Sequence, residues 1–172
     1  MPIYALGDLI PDIHPDAFVH PEAVIIGDAR IGAKSSIWPG AVLRADDAPI
    51  FVGERTSIQD GSVLHTTQPF PTRVGNDCVI GHIVHLEGCL IEDGALVGNG
   101  SIVMHRVVVR SGAVVGANSV LLNGMEVPSG ALAVGAPAVI KEGRARSADI
   151  AVAAQSYADR VDRYKRDLRR IG

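Results

Sequence analysis

The chain of 172 residues is predicted to be a mainly β protein, a parallel β-helix followed by one C-terminal α-helix. Two features of the sequence lead to this prediction. An aliphatic residue followed by a small or polar one recurs at intervals of about six, with Gly, Asn, Asp and Ser between the repeats. Short strands separated by turns fit this pattern, and from residue 147 the apolar spacing changes to three and four, which indicates an amphipathic helix.

The six-residue repeat runs through most of the chain. Its aliphatic members are Ile26, Ile31, Ile37, Val52, Ile58, Leu64, Val74, Ile80, Leu86, Ile91, Val97, Val103, Val109, Val115 and Leu121. If each unit forms one flat side of a prism, three sides make a coil and stacked coils bury the aliphatic residues in a continuous interior. A sandwich of short strands is the alternative, but sandwiches do not keep such a period over so many steps.

Two segments follow from these patterns. Residues 1–146 are predicted to form the β-helix domain, and residues 147–172 a C-terminal amphipathic helix. The apolar stripe of the helix must cover the β-helix or a neighbouring subunit.

Composition excludes several classes of function. The formal net charge is −3, which offers no broad attraction to nucleic acid or to an anionic membrane. The N-terminus lacks a basic and then apolar leader, and no apolar run approaches 20 residues. Cys78 and Cys89 do not make a disulfide framework. We therefore expect a cytoplasmic protein with a small-molecule ligand, no nucleic-acid partner and no membrane association.

The repeat places two side chains of interest together. Leu64 begins one side of the prism, Val74 the next, Ile80 the third, and Leu86 returns to the first. His65 and Glu87 then occupy the same position on adjacent coils and point outward, because Leu64 and Leu86 point inward. Neighbouring strands lie about 4.8 Å apart, so both side chains reach one ion about 2 Å from each donor atom.

Two further histidines are predicted on a different side of the prism. His82 and His85 therefore do not join the pair of His65 and Glu87 within one chain, whereas a neighbour's copy could. Packing three prisms around a threefold axis would bring the side of His65 and Glu87 against the side of His82 in the next chain. Three such interfaces would give three metal sites.

Three stretches of the sequence resemble one family. They are "SIWPGAVLRADDAPIFVGERTSIQDGSVLH", the "IGH" followed by "GC", and the helix that carries Tyr157 and Tyr164. From Ile13 to the C-terminal helix, the chain is similar to the γ-class carbonic anhydrases of the hexapeptide-repeat, left-handed β-helix superfamily.

The resemblance implies a homotrimer with zinc, or iron in some members, that hydrates CO2 reversibly to bicarbonate. His65 matches the first metal ligand, and His82 matches the ligand that comes from the partner subunit. The third ligand, a histidine in the family, falls on Glu87. Two histidines and a glutamate are known ligands of catalytic zinc, so we expect metal binding. The added negative charge weakens the lowering of the pKa of bound water, so we expect weak hydratase activity.

Other positions also match the family. Arg44 and Asp46 resemble an ion pair between subunits, and Asp60 resembles the carboxylate tied to that arginine. Assembly is the simpler role for these three residues, since arginine pairs with carboxylates through two parallel hydrogen bonds. Gln59 resembles the catalytic residue that orients metal-bound hydroxide.

His85 lies where the family more often has an apolar residue. It is an alternative ligand, a hydrogen-bond partner of a ligand, a proton relay or a partly exposed residue at a corner of the prism. His14, His20 and His105 are far from the cluster along the repeat and are predicted to be surface residues.

Two other functions remain open. A hexapeptide-repeat acyltransferase uses the same fold with coenzyme A, and "AVGAPAVIKEG" is similar to the terminal coil of that class. Val139, however, stands where a lysine commonly meets a phosphate of the cofactor. A non-catalytic trimeric scaffold with a structural metal is the other alternative.

Overall fold

The computed structural model describes residues 2–172, apart from the side chain of Ser147. The chain forms a parallel β-solenoid of about 7 turns with one C-terminal helix, which matches the left-handed β-helix fold and confirms the predicted fold class. The first half contains β1 (Ile3–Tyr4), β2 (Asp12–Ile13), β3 (Phe18–Val19), β4 (Val24–Ile31), β5 (Ser36–Ile37), β6 (Val42–Val52), β7 (Ser57–Ile58), β8 (Val63–His65), β9 (Thr72–Val74) and β10 (Val79–Ile80). The second half contains β11 (His85–Glu87), β12 (Leu90–Ile91), β13 (Leu96–Val97), β14 (Ile102–Val103), β15 (Val108–Val109), β16 (Val114–Val115), β17 (Val120–Leu121), β18 (Glu126–Val127), β19 (Leu132–Val134), β20 (Val139–Lys141) and α1 (Ser147–Asp167).

The strands make the three sides of a prism. One side contains β8, β11, β14 and β17, the second β9, β12, β15 and β18, and the third β7, β10, β13 and β16. The long strands β4 and β6 pass around an edge and belong to the first two sides. Leu64 pairs with Leu86, Val74 with Ile91 and Ile58 with Ile80, so the predicted succession of sides is confirmed.

The interior is filled by one aliphatic side chain from each flat side. The members of the repeat from Ile37 onward are buried, and many of them have no exposed surface. The first coil differs by one residue from the prediction: Ile25 is fully buried whereas Ile26 is only half-buried. Alternation along the strand explains this, because Ile25 lies six residues before Ile31 and both point inward.

The helix packs on the earlier coils of the third side of the prism, over β3, β5, β7 and β10. Val161 is fully buried there, in a cluster with Phe18 and Trp38 against which Tyr157 and Tyr164 pack. The indole N–H of Trp38 donates to hydroxyls of two serines beneath it.

The helix ends earlier than predicted. It stops at Asp167, and Leu168 already has extended backbone, so the last residues of the predicted segment 147–172 are not helical. Ile171 is 89% exposed, which means that this end of the chain has no apolar surface to pack on. Burial therefore does not offset the entropy of ordering another helical turn. Within residues 2–172, no helix has the length and apolar character needed to span a membrane.

Candidate functional site

Three polar side chains form a column on the first side of the prism. Arg44 of β6 pairs with His65 of β8, and His65 pairs with Glu87 of β11. The side chains of His65 and Glu87 are each 16% exposed. The structure thus brings together two of the predicted ligands on adjacent coils.

The backbone at His65 is held by a threonine on the second side. The hydroxyl of Thr72 donates to the carbonyl oxygen of His65 at 2.6 Å and accepts from the N–H of Gly88 at 2.8 Å. A single buried hydroxyl therefore links the backbones of two successive coils at the site.

The two ring nitrogens of His65 have different surroundings. Nδ1 lies 3.2 Å from Oε1 of Glu87, a hydrogen bond, whereas Nε2 lies 3.5 Å from Oδ1 of Asp46. Among the residues that the structure describes, Nε2 of His65 and Oδ1 of Asp46 are the two buried side-chain polar atoms without a hydrogen-bond partner. Such atoms are costly to bury and rare in native proteins, so this pair needs an explanation.

Asp46 is held from its other oxygen. Oδ2 accepts a short hydrogen bond from the guanidinium of Arg44. Partial burial raises the pKa of the Asp46 carboxyl, but the hydrogen bond and charge of Arg44 outweigh burial, so its pKa lies below the ordinary value. Asp46 is therefore ionised and pairs with Arg44 of its own chain, whereas an ion pair between subunits stays a prediction.

Glu87 is surrounded by three histidines. Besides His65, Nε2 of His85 lies 3.0 Å from Oε2, and Nε2 of His105 lies 3.4 Å from Oε1 and 3.0 Å from the hydroxyl of Thr67. Burial raises the pKa of Glu87, but the hydrogen bond from His85 and the contributions of His105 and His65 more than offset it, which leaves the pKa below its usual value. Glu87 is therefore a carboxylate that accepts hydrogen bonds.

Two expectations about histidines are wrong. His85 lies in the same strand as Glu87, on the first side of the prism. The reason is that β11 begins at His85, one residue before Leu86, which points inward. His105 is not a surface residue remote from the site: its side chain is 20% exposed and it reaches Glu87 from the next coil.

The sequence signal that could have placed His105 at the site is Gly88, which lies beneath it on the preceding coil. Leu86 pairs with Val103, which sets Gly88 under His105 on the stack. A Cβ at Gly88 would lie 2.8 Å from Cδ2 of His105 and 2.7 Å from Cβ of Phe70. Only glycine leaves room for these two rings to approach the carboxylate.

His82 lies apart from this cluster. It follows β10 at the corner before β11, half-exposed, and its Nδ1 is 2.9 Å from Oδ2 of Asp60. Asp60 thus contacts His82 within the chain, and its pairing with Arg44 of another subunit stays a prediction. Within residues 2–172, no hydrogen bond or ion pair joins His82 to Glu87 or His65.

Gln59 is buried beside this corner. The residue is 4% exposed and lies one residue before Asp60, and its amide, which is not fully buried, makes no hydrogen bond to the residues that the structure describes. The amide is therefore free to bond a group brought by another subunit or by a ligand.

A single chain does not supply a complete metal site. Over residues 2–172, no three His, Cys, Asp or Glu side chains converge on one point suitable for an ion. Two ionised carboxylates, Asp46 and Glu87, nevertheless flank His65, and one of them is paired with Arg44. A cation site here needs a ligand from outside the chain.

Sequence comparisons connect the chain with two kinds of protein. Residues 11–45 match the family described as bacterial transferase hexapeptide (six repeats). The chain is 46% identical over 109 residues to carnitine operon protein CaiE of Escherichia coli K12, which covers 63% of this chain and 56% of that protein. It is 42% identical over 108 residues to mitochondrial gamma carbonic anhydrase 2 of Arabidopsis thaliana, covering 59% of this chain and 39% of that protein. The chain thus spans about half the length of the curated relatives it matches.

Solved structures match nearly the whole chain. A hexapeptide transferase family protein from Anaplasma phagocytophilum has a TM-score of 0.90 and 37% identity, covering 95% of this chain and 98% of that one. A Bacillus cereus protein, provisionally described as an acetyltransferase, has a TM-score of 0.92 and 33% identity, covering 95% and 96%. These chains share the fold of this one over almost their full lengths.

Proposed function

This chain belongs to the hexapeptide-repeat family, and from that premise we propose that it is a γ-carbonic anhydrase-like metalloprotein. Its reaction is the reversible hydration of CO2 to bicarbonate, at a site shared between subunits of a homotrimer. The observation that carries the proposal is the buried and unpartnered Nε2 of His65, which faces an equally unpartnered carboxylate oxygen.

The residues present fit a divalent metal. Imidazole and carboxylate are the ligands of zinc and of non-haem iron, and two carboxylates beside His65 are ionised. Because no complete set of ligands lies in one described chain, His82 of the partner subunit supplies a further imidazole in this proposal.

Zinc at such a site supplies a Lewis acid that lowers the pKa of bound water toward 7. The protein's own residues do the rest. Gln59, buried and without an internal partner, donates or accepts the hydrogen bond that orients the attacking oxygen. Arg44 fixes Asp46, and Asp60 fixes the ring of His82.

We expect the hydration rate to be low. Proton export needs a titratable group that leads from the site to solvent. The loop of residues 66–73, "TTQPFPTR", contains no carboxylate and no histidine. Its Phe70 instead packs edge-on against His105, with ring centroids 5.6 Å apart, which shields that side of the cluster from water.

Metal analysis and stopped-flow hydration on the same sample test the proposal. Protein purified without chelators should contain about one zinc or iron ion per chain, and CO2 hydration should exceed the buffer rate. The variants His65→Ala and His82→Ala should each lose metal from every subunit, whereas His14→Ala, which removes an exposed histidine of the first coil, should retain it.

The results separate the alternatives. Absence of metal from wild-type protein contradicts the proposal. Tightly held metal without hydration favours a scaffold with a structural metal. The cytoplasmic location stays a prediction.

A CoA-dependent acyltransferase is the second candidate, favoured by the transferase names of the two structural relatives. Against it, Val139 of β20 is exposed and presents no cation for a phosphate. Thermal unfolding with and without coenzyme A distinguishes the two functions. A rise in Tm caused by coenzyme A supports the transferase, and no rise supports the metalloprotein.

A further inference from the structure

Both oxygens of Glu87 are already used inside the chain. Oε1 faces Nδ1 of His65 at 3.2 Å and Nε2 of His105 at 3.4 Å, and Oε2 faces Nε2 of His85 at 3.0 Å. Two of these nitrogens thus approach one oxygen and the third approaches the other, and no three of the described side chains share a point where an ion would sit. Glu87 thus behaves as an acceptor of imidazole N–H groups.

The contact with Glu87 occupies Nδ1 of His65 and leaves Nε2 for another partner. A neutral imidazole that donates from Nδ1 carries a lone pair on Nε2. Nε2 points away from Glu87 and toward Oδ1 of Asp46 at 3.5 Å. These two buried atoms face each other, and neither has a hydrogen-bond partner in the chain.

A cation between these atoms would give both of them a partner. Zinc lies about 2.0–2.2 Å from nitrogen and oxygen ligands, so two ligand atoms of a tetrahedral site are roughly 3.3 Å apart. The separation of Nε2 of His65 from Oδ1 of Asp46 is close to this value. The other oxygen of Asp46 is held by Arg44, which orients the carboxylate in the way that ligand carboxylates are commonly held.

His82, at the corner before β11, also has a carboxylate beside its Nδ1. Its Nδ1 lies 2.9 Å from Asp60, which leaves Nε2 for an outside group. Histidines that bind metals commonly give their second ring N–H to a carboxylate. The pairs His65–Glu87 and His82–Asp60 are therefore similar: in each, a carboxylate contacts Nδ1, while Nε2 of His65 faces Asp46 and Nε2 of His82 lies on a half-exposed ring.

We propose that Asp46, not Glu87, is the carboxylate ligand. The ion is bound by Nε2 of His65, Oδ1 of Asp46 and Nε2 of His82 of the partner subunit, and Glu87 is a positioning residue that fixes His65. His85 and His105 hold Glu87 in turn. The inference rests on the proposed shared metal site, and it reassigns the third ligand within that site.

Cobalt-substituted protein tests the assignment, because the visible spectrum of Co²⁺ reports its ligands without requiring activity. Asp46→Asn should change the spectrum and lower metal affinity by more than about 100-fold. Glu87→Gln keeps an oxygen that accepts from Nδ1 of His65, so it should retain the parent spectrum. Its metal affinity should fall by roughly 10–100-fold, as is typical when a residue that hydrogen-bonds to a metal ligand is changed. Asp28→Asn is the matched control, since Asp28 pairs with Arg30 two residues away as Asp46 does with Arg44.

Sedimentation of each variant shows whether assembly is retained, because the Asp46 pair lies at the proposed interface. A changed spectrum in Glu87→Gln, or an unchanged spectrum in assembled Asp46→Asn, overturns the assignment while leaving the shared metal site intact. Failure of wild-type protein to bind Co²⁺ or Zn²⁺ overturns both the assignment and the proposed function. The supporting outcome is a change in Asp46→Asn alone.

Discussion

At the scale of single residues, the chemistry of the site depends on which atom each side chain leaves free. The ladder between β8 and β11 fixes the neighbours of His65, and the repeat predicts that ladder because it sets the register. The repeat does not predict which ring nitrogen of His65 faces which carboxylate, because this depends on the backbone at the corner where Asp46 lies. The approach of His105 likewise depends on one glycine in a left-handed conformation, Gly88 at φ +58°.

The hydroxyl of Thr72 gives the first prediction at this scale. Thr72→Val keeps the shape of the side chain but removes the bonds to the carbonyl of His65 and the N–H of Gly88. Both backbone groups are then left without a partner, so we expect a loss of about 1–3 kcal/mol in the free energy of unfolding. Urea denaturation at fixed protein concentration measures this loss.

Thr72→Ser is the control for that measurement, because it restores the hydroxyl and removes only a methyl group. It should be more stable than Thr72→Val. Equal stability of the two variants would mean that the methyl group, and not the hydrogen bonds, stabilises this position.

Gly88 gives a second prediction. Gly88→Ala adds a Cβ in a left-handed conformation and places it 2.7 Å from Phe70 and 2.8 Å from His105. Gly94→Ala, at φ +65° with nothing within 4 Å, bears only the backbone cost. The backbone cost is roughly 1–2 kcal/mol in both, and steric overlap should add about 1–3 kcal/mol at Gly88. Equal midpoints of thermal unfolding for the two variants would contradict the close packing of these rings.

At the scale of elements, the six-residue period predicts the strands well because it is a property of packing, not of local propensity. Each coil must place one aliphatic side chain per side in the interior. A shift of the strand register by one residue would therefore expose Leu64 or Leu86. The end of α1 was not predictable in the same way. Leu168 and Ile171 continue the helical spacing, but the surface on which they would pack ends before them.

The helix gives the prediction at this scale. Val161 is fully buried against Phe18 and Trp38, whereas Val152 is 73% exposed on the same helix. Val161→Ala should cost about 1–3 kcal/mol because it leaves a cavity. Val152→Ala should change stability by less than about 0.5 kcal/mol. Chemical denaturation of both variants measures the difference, and similar costs would show that the helix is not stabilised through this aromatic cluster.

At the scale of the whole molecule, one side of the prism is partly covered by the helix. α1 packs over β3, β5, β7 and β10 of the third side, so the outward positions of these strands face the helix. The first side carries the column of His65 and Glu87, and beside it the exposed Ile102 stacks on His85. A side that carries both apolar residues and candidate ligands suits contact with a second copy of the chain. His82, at the corner before β11, suits the role of the ligand that is given to a neighbouring subunit.

Mixed oligomers test whether the site is shared. One chain carries His65→Ala and the other His82→Ala, and neither homotrimer holds a site with both histidines. In a mixed trimer, the His65 of one chain meets His82 of the partner subunit at one interface of three. Random mixing of equal amounts makes about three quarters of the trimers mixed, so metal should return to about a quarter of the wild-type content. Refolding the two chains together and measuring metal per chain checks this. Recovery near zero would place both histidines of each site in the same chain or outside the site, and would contradict the shared centre even if wild-type protein binds metal fully.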